Sequence, residues 1–285
     1  MSRNSTRRTL QELRTLYSTH PRLRDVMVEG ATDRRFYSWF LRESGLSENI
    51  HVYELDSRAL IPEELVSPVH AENNVRGRLV ALAFEADTWG GANKGLTCII
   101  DSDFDIVEKA VFPPQLLATD VPALETYALR ERPFSKFLNQ FVDEKVEAND
   151  VLRVLAPIWL HLFVLRWVLH RHSDGHGLVD NYAKKCFDKN GNAAIDVNEL
   201  IRASTHAGKD EVDRLSALVS ETLERMPEPS LATIRGHDIA PVLRHYFNLK
   251  TDKDELENLL RACMEFADVQ DEQVFKRLVQ RVSIP

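Results

Sequence analysis

Cysteine is scarce in this chain. Cys98, Cys186 and Cys263 are scattered and odd in number, so they build neither a disulfide framework nor a zinc knuckle. A reducing cytoplasm is the compartment this implies. The stretch Met1-Ser2-Arg3-Asn4-Ser5-Thr6-Arg7-Arg8 lacks the apolar core of a secretory signal. No Gly-x-x-x-x-Gly-Lys-Ser/Thr run occurs, so any dependence on a nucleoside triphosphate has to come from a partner. Basic excess is missing as well. A net charge of −8 counts against indiscriminate binding to phosphate backbones, which needs lysine and arginine to neutralise them. No repeat or low-complexity tract stands out. With 44% hydrophobic and 28% charged residues over 285 positions, the chain can bury a core.

Amphipathic and apolar segments are present in two styles. Residues 8–20, with Leu10, Leu13 and Leu16 on one side, read as a helix. A short buried strand follows from Asp25, then a helix over 32–44 with Thr32 as its N-cap and Phe36, Trp39 and Phe40 as its inward stripe. His51 to Leu55 reads as a second strand, 74–86 as a helix, Gly95 to Ile100 as a third strand and Gln115 to Thr119 as a fourth. Strands alternating with helices imply a parallel α/β sheet. From about Pro133 the pattern is helical throughout, with helices suggested at 151–170, 208–226, 238–248, 252–267 and 271–281. The expected division is therefore an α/β domain over 1–132 and an all-α domain over 133–285. Residues 151–170 are apolar enough to suggest a membrane span, but His161, Arg166 and Pro157 favour a buried core helix and no membrane partner.

Two of the strands end in acid. Val28-Glu29-Gly30-Ala31-Thr32-Asp33 closes the first, and Ile99-Ile100-Asp101-Ser102-Asp103 closes the third. In an open parallel sheet, ligands sit beyond the carboxyl ends of the strands. If these two strands are neighbours, Glu29, Asp101 and Asp103 converge, and crowded carboxylates call for a cation between them. A hard divalent ion, Mg²⁺ or Mn²⁺, suits oxygen ligands of this type. Alternation along an extended chain would place Asp101 and Asp103 on one side, and Gly30 would let the backbone turn sharply beneath the metal. Asp33 and Asp105 each read either as further ligands or as acids at helix starts. Arg22, Arg24, Arg34 and Arg35 flank the first motif and could hold a nucleic-acid backbone there.

Glu29-Gly30-x-x-Asp33 followed by Asp101-x-Asp103 resembles the Toprim domain, the metal-binding module of topoisomerases, bacterial primases and OLD-type nucleases. Ala123-Leu124-Glu125-Thr126-Tyr127-Ala128-Leu129 resembles the "SIENYLL" segment of one Toprim group. Arg235-Gly236-His237-Asp238-Ile239 resembles its later "GKDLL" segment, with His237 in place of lysine. That group is related to the OLD nucleases and includes the nuclease subunit of the PARIS anti-phage system, which works beside an ABC-type ATPase and cleaves transfer RNA. The resemblance is fullest over residues 25–130. It implies a Toprim-like sheet, a cytoplasmic metal-dependent nuclease acting on RNA in preference to DNA, an ABC-type ATPase partner and a homodimer. It also implies a site of Glu29, Asp33, Asp101, Asp103, Asp105 and Glu125 around two Mg²⁺ or Mn²⁺ ions, with His237 or Arg235 steadying the phosphate. A primase-like nucleotidyl transferase is a second enzyme reading, for which no zinc ribbon is evident.

A competing motif lies further on. Asp188-Lys189-Asn190-Gly191-Asn192 through Asp196 to Glu199 has the layout of an EF-hand loop, with oxygen-bearing side chains at loop positions 1, 3, 5, 9 and 12, but Ala193 stands where the sharp turn wants glycine. The alternatives are a Ca²⁺-responsive interaction protein and a plain interhelical turn.

Overall fold

The computed structural model describes residues 7–46, 48, 50–69, 72–142, 145–173 and 175–283. The chain forms two compact units. One runs to Asp120 and resumes at Val269, and the other spans Val121–Asp268.

The first unit is α/β. Helix α1 (Leu10–Thr19) opens with a capping box in which Thr9 and Glu12 satisfy each other's backbone N–H groups. Then come β1 (Arg24–Val28), α2 (Ala31–Glu43), β2 (Ile50–Glu54), a single turn α3 (Leu55–Arg58), α4 (Val75–Asp87), β3 (Leu96–Ile100), a short α5 (Asp105–Glu108) and β4 (Leu116–Ala118). The four strands are all parallel, in the order β2-β1-β3-β4. The chain winds outward from β1 to β2 and then crosses back over β1 to lay down β3. The crevice between the carboxyl ends of β1 and β3 is therefore the topological switch point of the sheet.

Every residue of β1 and β3 is buried, as strands covered on both faces must be, and this is why Val26–Val28 and Leu96–Ile100 read as largely apolar runs. Met27, Leu96, Cys98 and Ile100 pack with Leu13 and Tyr17 of α1 and with Leu79 and Leu82 of α4. Phe36, Tyr37 and Phe40 of α2 gather around Phe275, with ring centroids 4.7–5.9 Å apart. The expected α2 stripe is corrected accordingly: Tyr37 and Leu41 are buried with Phe36 and Phe40, while Trp39 is only half-buried.

The interior of β1 also holds a charge. Asp25 is 1% exposed, and its Oδ2 accepts from Tyr17 Oη at 3.0 Å and from Arg58 Nη2 and Nε at 2.7 and 3.1 Å. Arg58 in turn lies over the Tyr53 ring, 4.5 Å from its centroid. Burial, with Asp25 beside it, holds the Tyr17 hydroxyl well above the ordinary phenol range.

The second unit is helical: α6 (Glu131–Phe141), α7 (Ala148–His172), α8 (Val197–Thr205), α9 (Lys209–Arg225), α10 (Gly236–Tyr246), α11 (Lys253–Cys263) and a final turn, α12 (Phe266–Val269), at the boundary. Among the described residues α7 is the one helix long and apolar enough to cross a membrane, and more than half of its apolar stretch is buried in the protein. Trp159, Leu162, Phe163 and Val164 of α7 are fully covered. His161 Nδ1 and the Pro157 carbonyl are 2.7 Å apart, across the turn that follows the proline. Arg166, inside the same apolar run, is spent on a buried ion pair. Its Nε and Nη2 donate to Asp238 at 2.7–3.0 Å, and its guanidinium stacks 4.8 Å from the centroid of Tyr182. Helix α13 (Gln273–Val282) then rejoins the first unit. There Arg281 Nε donates to Thr97 Oγ1 at 3.1 Å, and the Val274 N–H donates to Asp120 Oδ2 at 2.9 Å.

Candidate functional site

Strands β1 and β3 are hydrogen-bonded neighbours. Glu29 follows the last residue of one and Asp101 the last residue of the other, so both acids stand at the switch point. The Asp101 N–H donates to Glu29 Oε1 at 3.3 Å, which ties the two strand ends together.

Strand β3 ends at Ile100. The Thr119 N–H donates to the Ile100 carbonyl at 3.1 Å, and the Ser102 N–H donates to Thr119 Oγ1 at 2.9 Å. Asp103 then takes a left-handed conformation with φ +42°, a position aspartate tolerates better than most residues. The extended backbone on which the expected alternation of Asp101 and Asp103 depends has ended by Asp103. A turn folds the acids together, and it leads into α5 at Asp105.

One residue absent from the sequence reading organises this turn. Arg76 lies in the first helical turn of α4, whose N-cap Asn74 accepts the Gly77 N–H at 2.8 Å. Arg76 Nη2 donates to both oxygens of Asp105 at 2.8 and 3.0 Å. Its Nε lies 3.6 Å from Asp103 Oδ2 and donates to the Asp101 carbonyl at 3.4 Å. A signal was available. The first turn of a helix favours acids because of the helix dipole, yet α4 has none there and begins Val-Arg-Gly-Arg. Arginines at such positions need acidic partners from elsewhere, and Arg78 finds its own in Asp56 at 2.8 Å.

The electrostatics follow from this geometry. Burial pushes the Glu29 carboxyl up to about 7, helped by the charges of Asp103 and Asp33 and opposed by the Asp101 N–H and by Arg76. Burial likewise raises Asp105 to about 6, even with Arg76 pulling it down. Asp33 serves its own helix, its Oδ2 accepting the Gly30 N–H at 3.0 Å. Gly30, not Thr32, is the N-cap of α2. Gly30 makes no sharp turn either: its φ of −140° is open to any residue, and an added Cβ would meet only Asp33 Oδ2 at 3.7 Å.

Glu125 and His237 belong to the second unit. Glu125, 5% exposed, lies in the helical turn Leu124–Leu129 and is ion-paired with Arg261. At Gly236 a Cβ would fall 2.6 Å from Glu125 Oε2 and equally close to the Ala123 Cβ. Glycine there lets the start of α10 close onto Glu125, so the two segments are brought together across a long stretch of chain. The His237 side chain is 60% exposed, and its Nδ1 is 3.7 Å from Glu257 Oε1. Asp238, the next residue, faces inward to Arg166.

The Asp188–Glu199 loop satisfies itself. Asp188 accepts the Asn190 and Asn192 N–H groups at 2.8 and 2.9 Å, Asp196 caps α8, and Glu199 pairs with Lys185. These are the contacts of an interhelical turn.

Among the described residues no three His, Cys, Asp or Glu side chains are gathered in a way that could hold a metal ion. The donors at the switch point are nonetheless hard carboxylate oxygens, crowded enough that Glu29 ionises only near neutral pH. A divalent cation would relieve that crowding, so the chemistry of these oxygens suits one although no three of them are gathered around a common point. Comparison with models of known protein families found none that matches the chain, and no curated protein matches it.

Proposed function

We propose that the chain is a Mg²⁺- or Mn²⁺-dependent nuclease with a Toprim-like α/β domain, hydrolysing phosphodiester bonds in RNA in preference to DNA. What carries the reading is the meeting of Glu29 with the Asp101–Asp105 turn at the switch point, where burial and like charge leave Glu29 short of positive charge. The segments at Glu29, Asp101, Glu125 and His237 that resemble the OLD-like Toprim group support it further. The same resemblance is the ground for proposing a cytoplasmic homodimer that acts as a toxic effector in anti-phage defence beside an ABC-type ATPase.

In this reading Glu29, Asp101 and Asp103 would hold the cation, and the chemistry it would supply is Lewis-acid activation of water and neutralisation of charge on phosphate. Glu29 must give up its proton to bind, so occupancy rises as pH passes about 7. Arg76 holds the acidic turn in place and sets a permanent positive charge beside it. The resemblance assigns Glu125 and His237 supporting roles, and their variants are separate tests.

The experiment is cleavage of labelled RNA and DNA by the full chain with Mg²⁺, with a chelator, and after the chelated metal is restored. Glu29→Gln and Asp101→Asn are each expected to lower the rate by about 100-fold or more. Cleavage that survives chelation and both substitutions would overturn the proposal.

A further inference from the structure

Helix α10 ends in a closed turn. Asn248 is left-handed, with φ +50°, and the Asn248 and Leu249 N–H groups donate back to the carbonyls of His245 and Arg244 at 3.2 and 2.9 Å. A helix that stops this way has its last carbonyls satisfied and its end fixed. Three consecutive rings sit there, His245, Tyr246 and Phe247, and they cluster with Phe187 from a distant stretch of chain. The Phe187 centroid is 5.1 Å from that of His245 and 6.0 Å from that of Tyr246, and Tyr246 meets Phe247 nearly edge to face at 4.8 Å. Phe187 is 9% exposed, but Tyr246 and Phe247 are only half-buried and His245 is exposed.

The charge around these rings runs against that of the chain. The sequence holds 44 acids to 36 lysines and arginines, yet residues 239–251 contain no acid and include Arg244, His245 and Lys250. Lys184 and Lys189 flank Phe187. Arg244, Lys250, Lys184 and Lys189 are all exposed, and none of the four is in a salt bridge among the described residues. The nearby acids are committed elsewhere. Asp188 accepts the Asn190 and Asn192 N–H groups, Asp252 accepts the Glu255 N–H at 2.9 Å, and Glu199 takes Lys185. The negative end of α10 accounts for Arg244 and His245. It accounts neither for Lys250, beyond the helix, nor for two large rings left partly uncovered.

We infer that the end of α10 and the Lys184–Lys189 segment form a grip for an unpaired strand of RNA. The inference rests on the RNA-directed reading above and deepens it, since it specifies that the strand is single where the helical unit holds it. Every base has a flat face that stacks on an exposed aromatic ring whatever its identity, while cations beside the ring meet the phosphates. A duplex hides those faces and engages the cations alone. An acidic protein segment would likewise answer the cations and leave Tyr246 and Phe247 unused.

The test is fluorescence anisotropy of the full chain with a labelled single-stranded RNA of about twelve nucleotides, and with a duplex of the same sequence, in chelator and over a range of salt. Tyr246→Leu and Phe247→Leu keep apolar bulk and remove the stacking face. At least one of them is expected to weaken the single strand by about fivefold or more. The double variant Arg244→Gln with Lys250→Gln is expected to flatten the slope of log affinity against log salt by about 1.4, two phosphates at about 0.7 each. The duplex is expected to bind more weakly than the single strand. The inference is overturned if both folded ring variants lose less than about fivefold, if the salt slope is unchanged in the double variant, or if the duplex binds as tightly as the single strand. If the ring variants do not fold, the salt slope and the preference for the single strand decide. The two readings fail separately. A parent that cleaves RNA with Mg²⁺ but binds it indifferently to these substitutions loses the grip and keeps the nuclease. A parent that binds as expected and never cleaves loses the nuclease and keeps the grip.

Discussion

Replacing Glu29 by Gln isolates the electrostatic tension at the switch point. Glutamine keeps the shape and an oxygen able to accept the Asp101 N–H, but it never ionises. In the folded protein Glu29 ionises at about 7, against an ordinary value of 4.5, with burial the largest cause and Asp103 next. In the unfolded chain the carboxyl loses its proton at the ordinary value. Between those two pH values the folded state holds more protons than the unfolded state. Stability is therefore fully present below about pH 4.5 and declines as pH rises through about 7. The decline attributable to this group is about 3 kcal/mol. Equilibrium urea denaturation of parent and variant across pH 4.5–8.5, without divalent ions, measures it. The curves should nearly coincide at the acid end, and the variant should be the more stable by up to about 3 kcal/mol at pH 8. Some slope should survive in the variant, because Asp105 is raised to about 6 and contributes in the same direction. Millimolar Mg²⁺ should then stabilise the parent at pH 8 and leave the variant unchanged. Parallel curves at every pH would refute the claim that Glu29 is held protonated by its surroundings.

Other expectations follow from single contacts in the same structure. Gly95→Ala places a Cβ 2.6 Å from ring atoms of Tyr17, so it should destabilise the first unit by about 1–3 kcal/mol. Gly30→Ala meets nothing closer than 3.7 Å and should cost about 1 kcal/mol or less, that being the difference between glycine and alanine at an N-cap. Thermal melts of the two variants check both. Asp25→Ala strands Arg58 and the Tyr17 hydroxyl in the core and should cost about 3–5 kcal/mol, read as a lowered denaturation midpoint. Calorimetric titration with Ca²⁺ should give no heat that Glu199→Gln removes, since Glu199 is engaged by Lys185.

The sheet was legible because parallel strands covered on both faces are written as short, largely apolar runs. The segments around Val26–Val28 and Leu96–Ile100 need no partner information to be recognised. That the ends of those two strands meet was expected from their acids and follows in the structure from the order β2-β1-β3-β4. The return of α13 was not legible. Phe275 and Arg281 sit in an ordinary amphipathic helix, and only the contacts with Phe36, Phe40 and Thr97 reveal that it belongs with the sheet. For the same reason the break between units falls after Asp120 and again after Asp268, where the composition does not change. The turn at Asp103 escaped because strand periodicity was carried past the point where the strand ends. A left-handed aspartate leaves little local trace. Arg76 escaped because its partners lie more than twenty residues away in sequence, although its unfavourable place in the first turn of α4 was a usable sign.

Strand β1 and the residue beyond it carry two acids, and their different fates separate structure from chemistry. Asp25 is deeper, yet Arg58 and Tyr17 deliver three donors to a single oxygen. The pair is enclosed, and removing either member would leave a buried charge without its mate. Asp25 Oδ1 is left buried without a hydrogen-bond partner, but the guanidinium on Oδ2 already answers the charge of the carboxylate. Glu29, just past the end of the same strand, is less buried but accepts one long backbone hydrogen bond and faces Asp103 and Asp33. An acid whose compensation by Arg76 and one N–H falls short of its burial lowers stability at neutral pH. Under the proposed function a bound cation would convert that deficit into affinity, because the free energy lost by ionising Glu29 would be recovered when positive charge arrives. By this reasoning the depth of an acid says little about function, whereas the mismatch between its burial and its partners says a great deal. Asp238 obeys the same rule in the second unit. It is fully buried and fully matched by Arg166, and so belongs with Asp25 among the acids that hold the fold.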